Sequence, residues 1–369
     1  MKNIQPIDIN LISTKVDANH YWHPDPLLHH EQLVKYGIDT LKANELVMGI
    51  TLFVADVLNG RIRCASNGSG DNQAGKVLNG YETHHLQNIH GYILVARCLS
   101  KQFEYRQALS IFCESIALAC NICGSHGISS EQIDQTVVNW KQNGIAYLFM
   151  NSLADAICYL YRDMGFAQRM ADERQYVKRS LRSSSKYIDD IISAHGRIVV
   201  VRVDFYQQIG QCVESDLQLA IASMDRLIAN IRHNSIFHGL VGYIAKLEYG
   251  IVRGAHWHTV FFYDGQYRNP NDHVYFAKQI GEYWRNELNC GNGTYYNCNA
   301  DSSKYDTFGL DGTGLITYRD LDKIQILKEK VVSYLCKTNL FSRIKGGKPY
   351  RTFRRGQCPV AQLRCPRKM

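Results

Sequence analysis

The stretch that decides the fold of the C-terminal half is GYIAKLEYGIVRGAHWHTVFFYDG, residues 242–265. Two runs rich in β-branched and aromatic residues flank a short turn at Gly250–Ala255, which predicts strands at Leu240–Tyr249 and His256–Tyr263. A connection this short is typical of a β-hairpin, in which the two strands pair antiparallel. The stretch therefore predicts an antiparallel sheet at the centre of this half.

The second strand carries the pattern His256-Trp257-His258. Side chains alternate across a strand, so both imidazoles project from one face and Trp257 points to the other. The hairpin allows Glu248 to lie beside His256 on the neighbouring strand. Two imidazoles and a carboxylate leave coordination positions open, and they suit Mg²⁺ or Mn²⁺. The alternative is a pair of partly buried histidines that hydrogen-bond to backbone carbonyls.

The elements around the hairpin follow from the spacing of apolar residues. They are predicted as strands at Arg197–Phe205 and Leu315–Tyr318, and as helices at Glu214–Ile231, at His273–Asn289 and from the cap Asp320 to about Phe341. This order favours the α+β class, with an antiparallel sheet that carries helices on one face.

The N-terminal half has apolar residues at three- and four-residue spacing, which predicts a mostly α-helical domain. The predicted organisation is an irregular segment at 1–25, a helical domain of unknown role at 26–167, a basic linker or helix at 168–186, a sheet-containing catalytic domain at 187–342 and a basic tail at 343–369.

The excess of positive charge is concentrated near the C-terminus. The 369 residues have a net charge of +8, and the segment 337–369 holds ten Lys and Arg and no Asp or Glu. A localised basic segment suits a polyanion such as nucleic acid, because each cation that meets a phosphate releases counterions. A solvated basic tail without a specific partner explains the charge equally well.

The composition is that of a globular protein, with 45% hydrophobic and 21% charged residues. No stretch approaches the roughly 20 consecutive apolar residues of a membrane helix, and the first residues have no signal-peptide pattern. We therefore expect a cytoplasmic protein without a membrane partner. In that compartment the twelve cysteines are expected to be mostly free thiols.

A second motif is Tyr334-Leu-Cys-Lys337, on the predicted helix after Asp320. Residues three apart share a helical face, so the phenol of Tyr334 and the ammonium of Lys337 lie close together. A tyrosine with a neighbouring cation is a workable nucleophile for cleaving a phosphodiester. An ordinary amphipathic helix with a tyrosine at its edge is the alternative.

Taken together, these motifs resemble a known family. The motifs are GYIAKLEYG at 242–250, GAHWH at 254–258, FYDG at 262–265, DGTGLI at 311–316, YLCKT at 334–338 and RTFRRG at 351–356. They resemble the inovirus gene-II-type family of bacterial prophages, the YagK/YfjJ C-terminal family, a branch similar to the HUH rolling-circle endonucleases and relaxases. The resemblance covers roughly residues 185–357.

The resemblance implies metal-assisted nicking and joining of single-stranded or locally melted origin DNA, which initiates rolling-circle replication. It implies that His256 and His258 bind the metal, with Glu248 added by adjacency, and that Tyr334 is the nucleophile with Lys337 as its partner. Two-tyrosine enzymes of this type carry a second tyrosine on the same helix. Here the next tyrosine is Tyr350, so we expect a single-tyrosine mechanism.

Two further candidate sites are weaker. Arg351, Phe353, Arg354 and Arg355 combine cations with an aromatic ring and are expected to contact DNA, unless the segment is a docked β-type tail with solvated arginines. Cys120, Cys123 and His126 have the spacing of three zinc ligands, but no second pair accompanies them. A small-residue helix face is the favoured interpretation of that group.

Two other function classes stay open at this point. One is a catalytically inactive prophage DNA-binding regulator with the same fold. The other is an RNA-binding module, which would need exposed aromatic residues in the central strands. A host helicase or polymerase is a further candidate partner, and no small-molecule substrate is expected.

Overall fold

A computed structural model describes most of the chain. It describes residues 40–62, 80–98, 103–105, 107–129, 132–133, 144–163, 165–207, 213–250, 254–267, 269–301, 311–336, 341–344 and 350–357. The predicted irregular segment 1–25 and Lys337 lie outside these residues. The chain forms two compact units, Met1–Arg174 with Thr338–Gly347, and Gln175–Lys337 with Lys348–Met369.

The first unit is mostly helical, as the sequence predicts. Its described elements are α1 Thr40–Leu58, α2 Gly80–Cys98, β1 Phe103–Tyr105, α3 Gln107–Ser125, α4 Gly144–Asp163, the first turns of α5 Phe166–His195, and β7 Phe341–Ile344, which pairs antiparallel with β1. Buried aromatic side chains join the helices: Phe53 of α1 meets Phe112 of α3 edge-on, with ring centroids 5.9 Å apart. The predicted basic segment 168–186 lies within α5.

From the sequence we expect no segment with the length and composition of a membrane helix, but one helix of this unit has both. Among the described residues, α3 is long and apolar enough to cross a membrane by length and composition alone. Seven of its residues are buried in the unit, including Leu109, Phe112 and Cys123. Core helices pass the same test, so this feature is weak evidence for a membrane span.

The second unit is built on an antiparallel sheet of six strands. Its elements are the remaining turns of α5, β2 Arg197–Gln207, α6 Val213–Asn230, β3 Leu240–Gly250, β4 Gly254–Asp264, α7 His273–Glu282, β5 Gly293–Asn297, β6 Gly314–Thr317, α8 Leu321–Ile326, α9 Ser333–Cys336 and β8 Phe353–Arg355. The strand order is β5–β2–β4–β3–β8, and β6 pairs with the first residues of β2. The α+β class is confirmed.

Helices cover both faces of this sheet, so the expectation of helices on one face is wrong. On one face, α5 and the segment of α8 and α9 pack on Val200, Val260 and Phe262. On the other, the Trp257 Nε1–H donates to the backbone carbonyl of Ala220 in α6 at 3.0 Å. Strands β2 and β4 are nearly all buried, and such strands need an apolar layer against each side. The central aromatic residues Phe261 and Phe262 are accordingly core.

The C-terminal elements also differ from the predicted ones. The helix that starts after Asp320 widens to a π-helical stretch at Leu327–Val332 and is described to Cys336, whereas Phe341 begins a strand. The predicted basic tail contains β8, which adds an edge strand to β3. A π-helical stretch shifts side chains by about one position from the α-helical spacing, which apolar periodicity does not reveal.

The packing of α6 generates a test with a matched control on the same helix. Leu217 is 2% exposed and Leu219 is 47% exposed. We expect Leu217→Ala to lower the free energy of unfolding by about 2–5 kcal/mol, because it leaves a cavity in the core. Leu219→Ala should change it by no more than about 0.5 kcal/mol. Urea unfolding followed by circular dichroism measures both, and equal effects would contradict the two-faced packing.

Candidate functional site

The three residues predicted to bind metal come together on one face of the sheet. Strands β3 and β4 pair so that Glu248 lies opposite His256, and the pleat puts His258 on the same face. The Glu248 Oε2 atom lies 3.3 Å from His258 Nε2 and 3.9 Å from His256 Nε2. One ligand atom from each residue lies within 4.8 Å of the others, which is the arrangement that one cation requires.

The predicted nucleophile lies against this triad. The Tyr334 hydroxyl is 3.4 Å from His258 Nε2 and 3.5 Å from Glu248 Oε2, and its ring meets the His258 ring edge-on. The side chain is held there by its neighbours, because Val332 and Leu335 are buried in the core under the sheet face. The structure therefore brings Tyr334, Glu248, His256 and His258 to one point. Lys337 lies outside the described residues.

Sequence analysis missed a carboxylate behind the histidines. Asp204 of β2 lies opposite His258 in the sheet, and its Oδ2 atom is 2.9 Å from His258 Nδ1. An Nδ1–H that donates to a carboxylate leaves Nε2 as the metal-binding nitrogen. Arg202 of the same strand lies 3.8 Å from Asp204 and offsets its charge. Alternating polar residues within the apolar run of β2 were the available signal.

Two other residues of the same face complete the surroundings. The Tyr206 ring stacks on the His256 imidazole, with centroids 5.4 Å apart. Lys246 is 4% exposed and lies opposite His258 in the β3–β4 pairing. Its charge contributes to lowering the pKa of Glu248. Cationic groups on both flanking strands thus balance the buried carboxylates.

The charges of the site support one another. Burial by itself raises the pKa of Glu248, but the charge and hydrogen bond of His258, with the charges of His256 and Lys246, together outweigh it, and the pKa falls to about 2. Burial lowers the pKa of His258, whereas Asp204 and Glu248 raise it, and the net result is about 9. Burial, followed by the charges of Glu248 and Asp204, raises the pKa of Tyr334 well above its usual value. The phenol is therefore protonated at neutral pH.

Comparison with protein families identifies this half of the chain. Residues 163–356 match the family model of the YagK/YfjJ C-terminal domain, which is more than half of the sequence. The protein belongs to this family. The matched region of the YagK/YfjJ domain includes all of the site residues described above, from Arg202 to Tyr334. No curated protein and no solved structure matches the chain.

The four residues predicted to contact DNA do not form one patch in this YagK/YfjJ domain. Arg354 pairs with Asp225 and lies over the Trp257 ring, on the sheet face opposite Tyr334. Phe353 packs against the core. The remaining two, Arg351 and Arg355, are exposed. Arg355 lies on the same side as Tyr334, where its guanidinium donates to Ser183 Oγ at 2.7 Å. Phe353 and Arg354 thus fit the alternative of a docked β-type segment better than that of a DNA contact.

The zinc-like spacing of Cys120, Cys123 and His126 does not gather three ligands. Cys123 is buried and its thiol faces Ser152, whereas His126 is exposed. Within the described part of the chain, Glu248, His256 and His258 form the single group of three metal-ligating side chains that could hold one ion. The helix-face interpretation of the cysteines agrees with their place in α3.

The position of Asp204 generates a test of the metal centre. We expect Asp204→Asn to weaken Mn²⁺ binding by about 10- to 100-fold, because the amide no longer holds the Nδ1–H of His258 as a carboxylate does. Mn²⁺ affinity, measured by electron paramagnetic resonance, reports the change.

A matched control is available on the same sheet. Asp264 makes a similar contact with a histidine, 2.8 Å from His195 Nδ1, at the far end of β4. Asp264→Asn should leave Mn²⁺ affinity unchanged. Equal losses in both variants would indicate a general effect on folding and would contradict a specific role for Asp204.

Proposed function

We propose that this protein is a metal-dependent DNA nicking and joining enzyme of the HUH type, which initiates rolling-circle replication of a phage-like element. The observation that carries the proposal is the position of the Tyr334 hydroxyl, within 3.5 Å of both His258 and Glu248. A phenol at the edge of a His-His-Glu group suits metal-assisted cleavage of a phosphodiester by a tyrosine nucleophile.

The donor set suits a hard or borderline divalent cation. Glu248, His256 and His258 offer one oxygen and two nitrogens, and they leave coordination positions for water and a phosphate oxygen. Mn²⁺ accepts imidazole nitrogen more readily than Mg²⁺ does, and both are candidates. A bound cation would supply Lewis-acid charge that polarises the scissile phosphate.

The reaction follows from the position of Tyr334. Its oxygen forms a bond to the phosphorus of one phosphodiester, and the bond from that phosphorus to the 3′ oxygen of the preceding nucleotide breaks. The phenol loses its proton and the 3′ oxygen gains one. The products are a 5′-phosphotyrosine and a free 3′-hydroxyl, which primes DNA synthesis. Attack by a 3′-hydroxyl on the phosphotyrosine reverses the step and joins the strand.

Neighbouring residues prepare Tyr334 for this role. Its hydroxyl points at the Glu248 carboxylate at 3.5 Å, which is within reach for passing on a proton once the site tightens around substrate. Burial and the charges of Glu248 and Asp204 raise the pKa of the phenol, and the charge of Arg202 opposes that rise. We infer that Glu248 accepts the proton of the phenol and that Arg202 stabilises developing negative charge.

The substrate we propose is single-stranded or locally melted DNA, as the resemblance to the HUH endonucleases implies. The enzyme would act in the cytoplasm, where a host helicase would unwind the duplex or a host polymerase would extend the nicked strand. The next tyrosine after Tyr334 in the chain is Tyr350, which lies outside the helix that carries Tyr334. A single-tyrosine mechanism therefore fits better than a relay between two.

The proposal is tested by nicking of circular and single-stranded DNA of the element that encodes the protein, with Mn²⁺ or with EDTA. We expect wild type with Mn²⁺ to nick the DNA and to form a covalent protein–DNA adduct. Tyr334→Phe should lose both, by at least about 10³-fold, because the nucleophilic oxygen is absent. Tyr318→Phe is the matched control, since Tyr318 is exposed in the same unit.

One outcome would replace the enzyme with a DNA-binding regulator. That outcome is tight binding to origin DNA without a nick or an adduct in any divalent metal. Equal nicking by wild type and Tyr334→Phe would instead reject Tyr334 as the nucleophile. Cleavage would then depend on the metal centre without this tyrosine.

A further inference from the structure

One face of α5 in the second unit is strongly basic. Between Gln175 and Tyr187 the helix carries four basic residues and no acidic one, and all four are exposed: Lys178, Arg179, Arg182 and Lys186. They are spaced three and four residues apart, so they form one continuous stripe on the helix surface. We call this stripe the basic face of α5.

Among the described residues, most of this charge has no ion-pair partner. Lys186 pairs with Asp190 at 2.9 Å. Lys178, Arg179 and Arg182 form no ion pair with any residue that the structure describes. Like charges at this spacing destabilise a helix by a few tenths of a kcal/mol per pair. A polyanion on the surface removes that repulsion, which points to a partner with regularly spaced negative charge.

A fifth cation, from outside the helix, lies beside the basic face of α5. Arg355 of β8 docks on α5, where it donates to Ser183 and lies over the Tyr187 ring at 5.0 Å. Ser183 is one turn from both Arg179 and Lys186. The exposed ring of Tyr176 lies two turns before Ser183 on the same side of the helix. Cations interleaved with an exposed aromatic ring are typical of a surface for single-stranded nucleic acid.

The direction of α5 relates this surface to the site. Near Ile191 the helix contacts Gly242 of β3, and at Ser183 it meets Arg355, which lies opposite Ile244. Moving back along α5 thus corresponds to moving along β3 towards Glu248. Lys178 and Arg182 precede these contacts, so they extend towards the end of the sheet that carries the metal centre.

We propose that the basic face of α5 binds the phosphodiester backbone of single-stranded DNA that flanks the cleaved bond. The inference rests on the proposed nicking function and names the strand path outside the active site. From Lys178 to Lys186 the helix rises by about 12 Å, at about 1.5 Å per residue. That length matches roughly three to four nucleotides at the rise of about 3.4 Å in a stacked strand.

The test compares two pairs of charge-neutralising substitutions in the full chain. Lys178→Gln with Arg182→Gln removes one Lys and one Arg from the basic face. Arg232→Gln with Lys278→Gln removes the same charges from exposed positions after α6 and on α7. Binding of a fluorescent thymidine oligonucleotide of about 20 nucleotides, longer than the roughly 4–16 that one binding module covers, is followed by anisotropy at several salt concentrations in EDTA.

We expect the α5 pair to weaken binding at low salt and to lower the slope of log affinity against log salt by about 1.4, or about 0.7 per lost phosphate contact. The control pair should leave the slope unchanged. Tyr176→Ala should weaken binding by about fivefold or more through lost stacking, with the salt slope unchanged. Equal slopes for both pairs, or no binding of the oligonucleotide by wild type at low salt, would overturn the inference.

The two proposals fail separately, because EDTA removes cleavage from the binding measurement. If wild type nicks DNA but the α5 pair of substitutions leaves the salt slope unchanged, the proposed DNA contact on α5 is rejected and the nicking function stands. A lowered slope without any nick rejects the nickase and keeps α5 as a DNA-binding surface. Tighter binding of an RNA oligonucleotide of the same length than of the DNA would also overturn the inference, because it would change the partner.

Discussion

The register between β3 and β4 is the constraint on which the site depends. A strand has a side-chain period of two, so a slip of one residue would move Glu248 to the opposite face from His256 and His258. The register is fixed by apolar packing on the opposite face of the sheet, where Leu247 lies opposite Trp257 and both are buried. Packing of the apolar face thus sets the position of the polar one.

Placing two carboxylates and two imidazoles in a buried cluster is costly unless each charge has a partner. The sheet solves this with residues from three neighbouring strands. Asp204 contacts His258 from β2, and Lys246 approaches Glu248 from β3 itself. The histidines are held by partners on both sides, which favours a fixed geometry over a mobile one. Asp204 and Lys246 are single polar residues within apolar strands, and their partners are hard to predict without a structure.

The sequence was sufficient to predict the hairpin, the α+β class and the convergence of Glu248, His256 and His258. Those features depend on the spacing of apolar residues along each element and on a short turn, and both can be recognised in a single sequence. Asp204 was not predicted, because it reaches His258 through a pairing of strands about 50 residues apart. The docking of Arg354 on Trp257 was missed for the same reason, since β8 joins the sheet only through long-range pairing with β3.

The position of Tyr334 shows why the helix that carries it has an irregular form. The turns before it are π-helical, with Leu327, Val331 and Val332 buried against the sheet. A regular α-helix would turn about 100° per residue, so the extra residue per turn rotates the next turn of the helix about its axis. That rotation lets apolar residues stay in the core while Tyr334 faces Glu248 and His258. Stretches of this kind occur often at functional sites, and here the reason is geometric: the helix must satisfy the core and the metal centre at once.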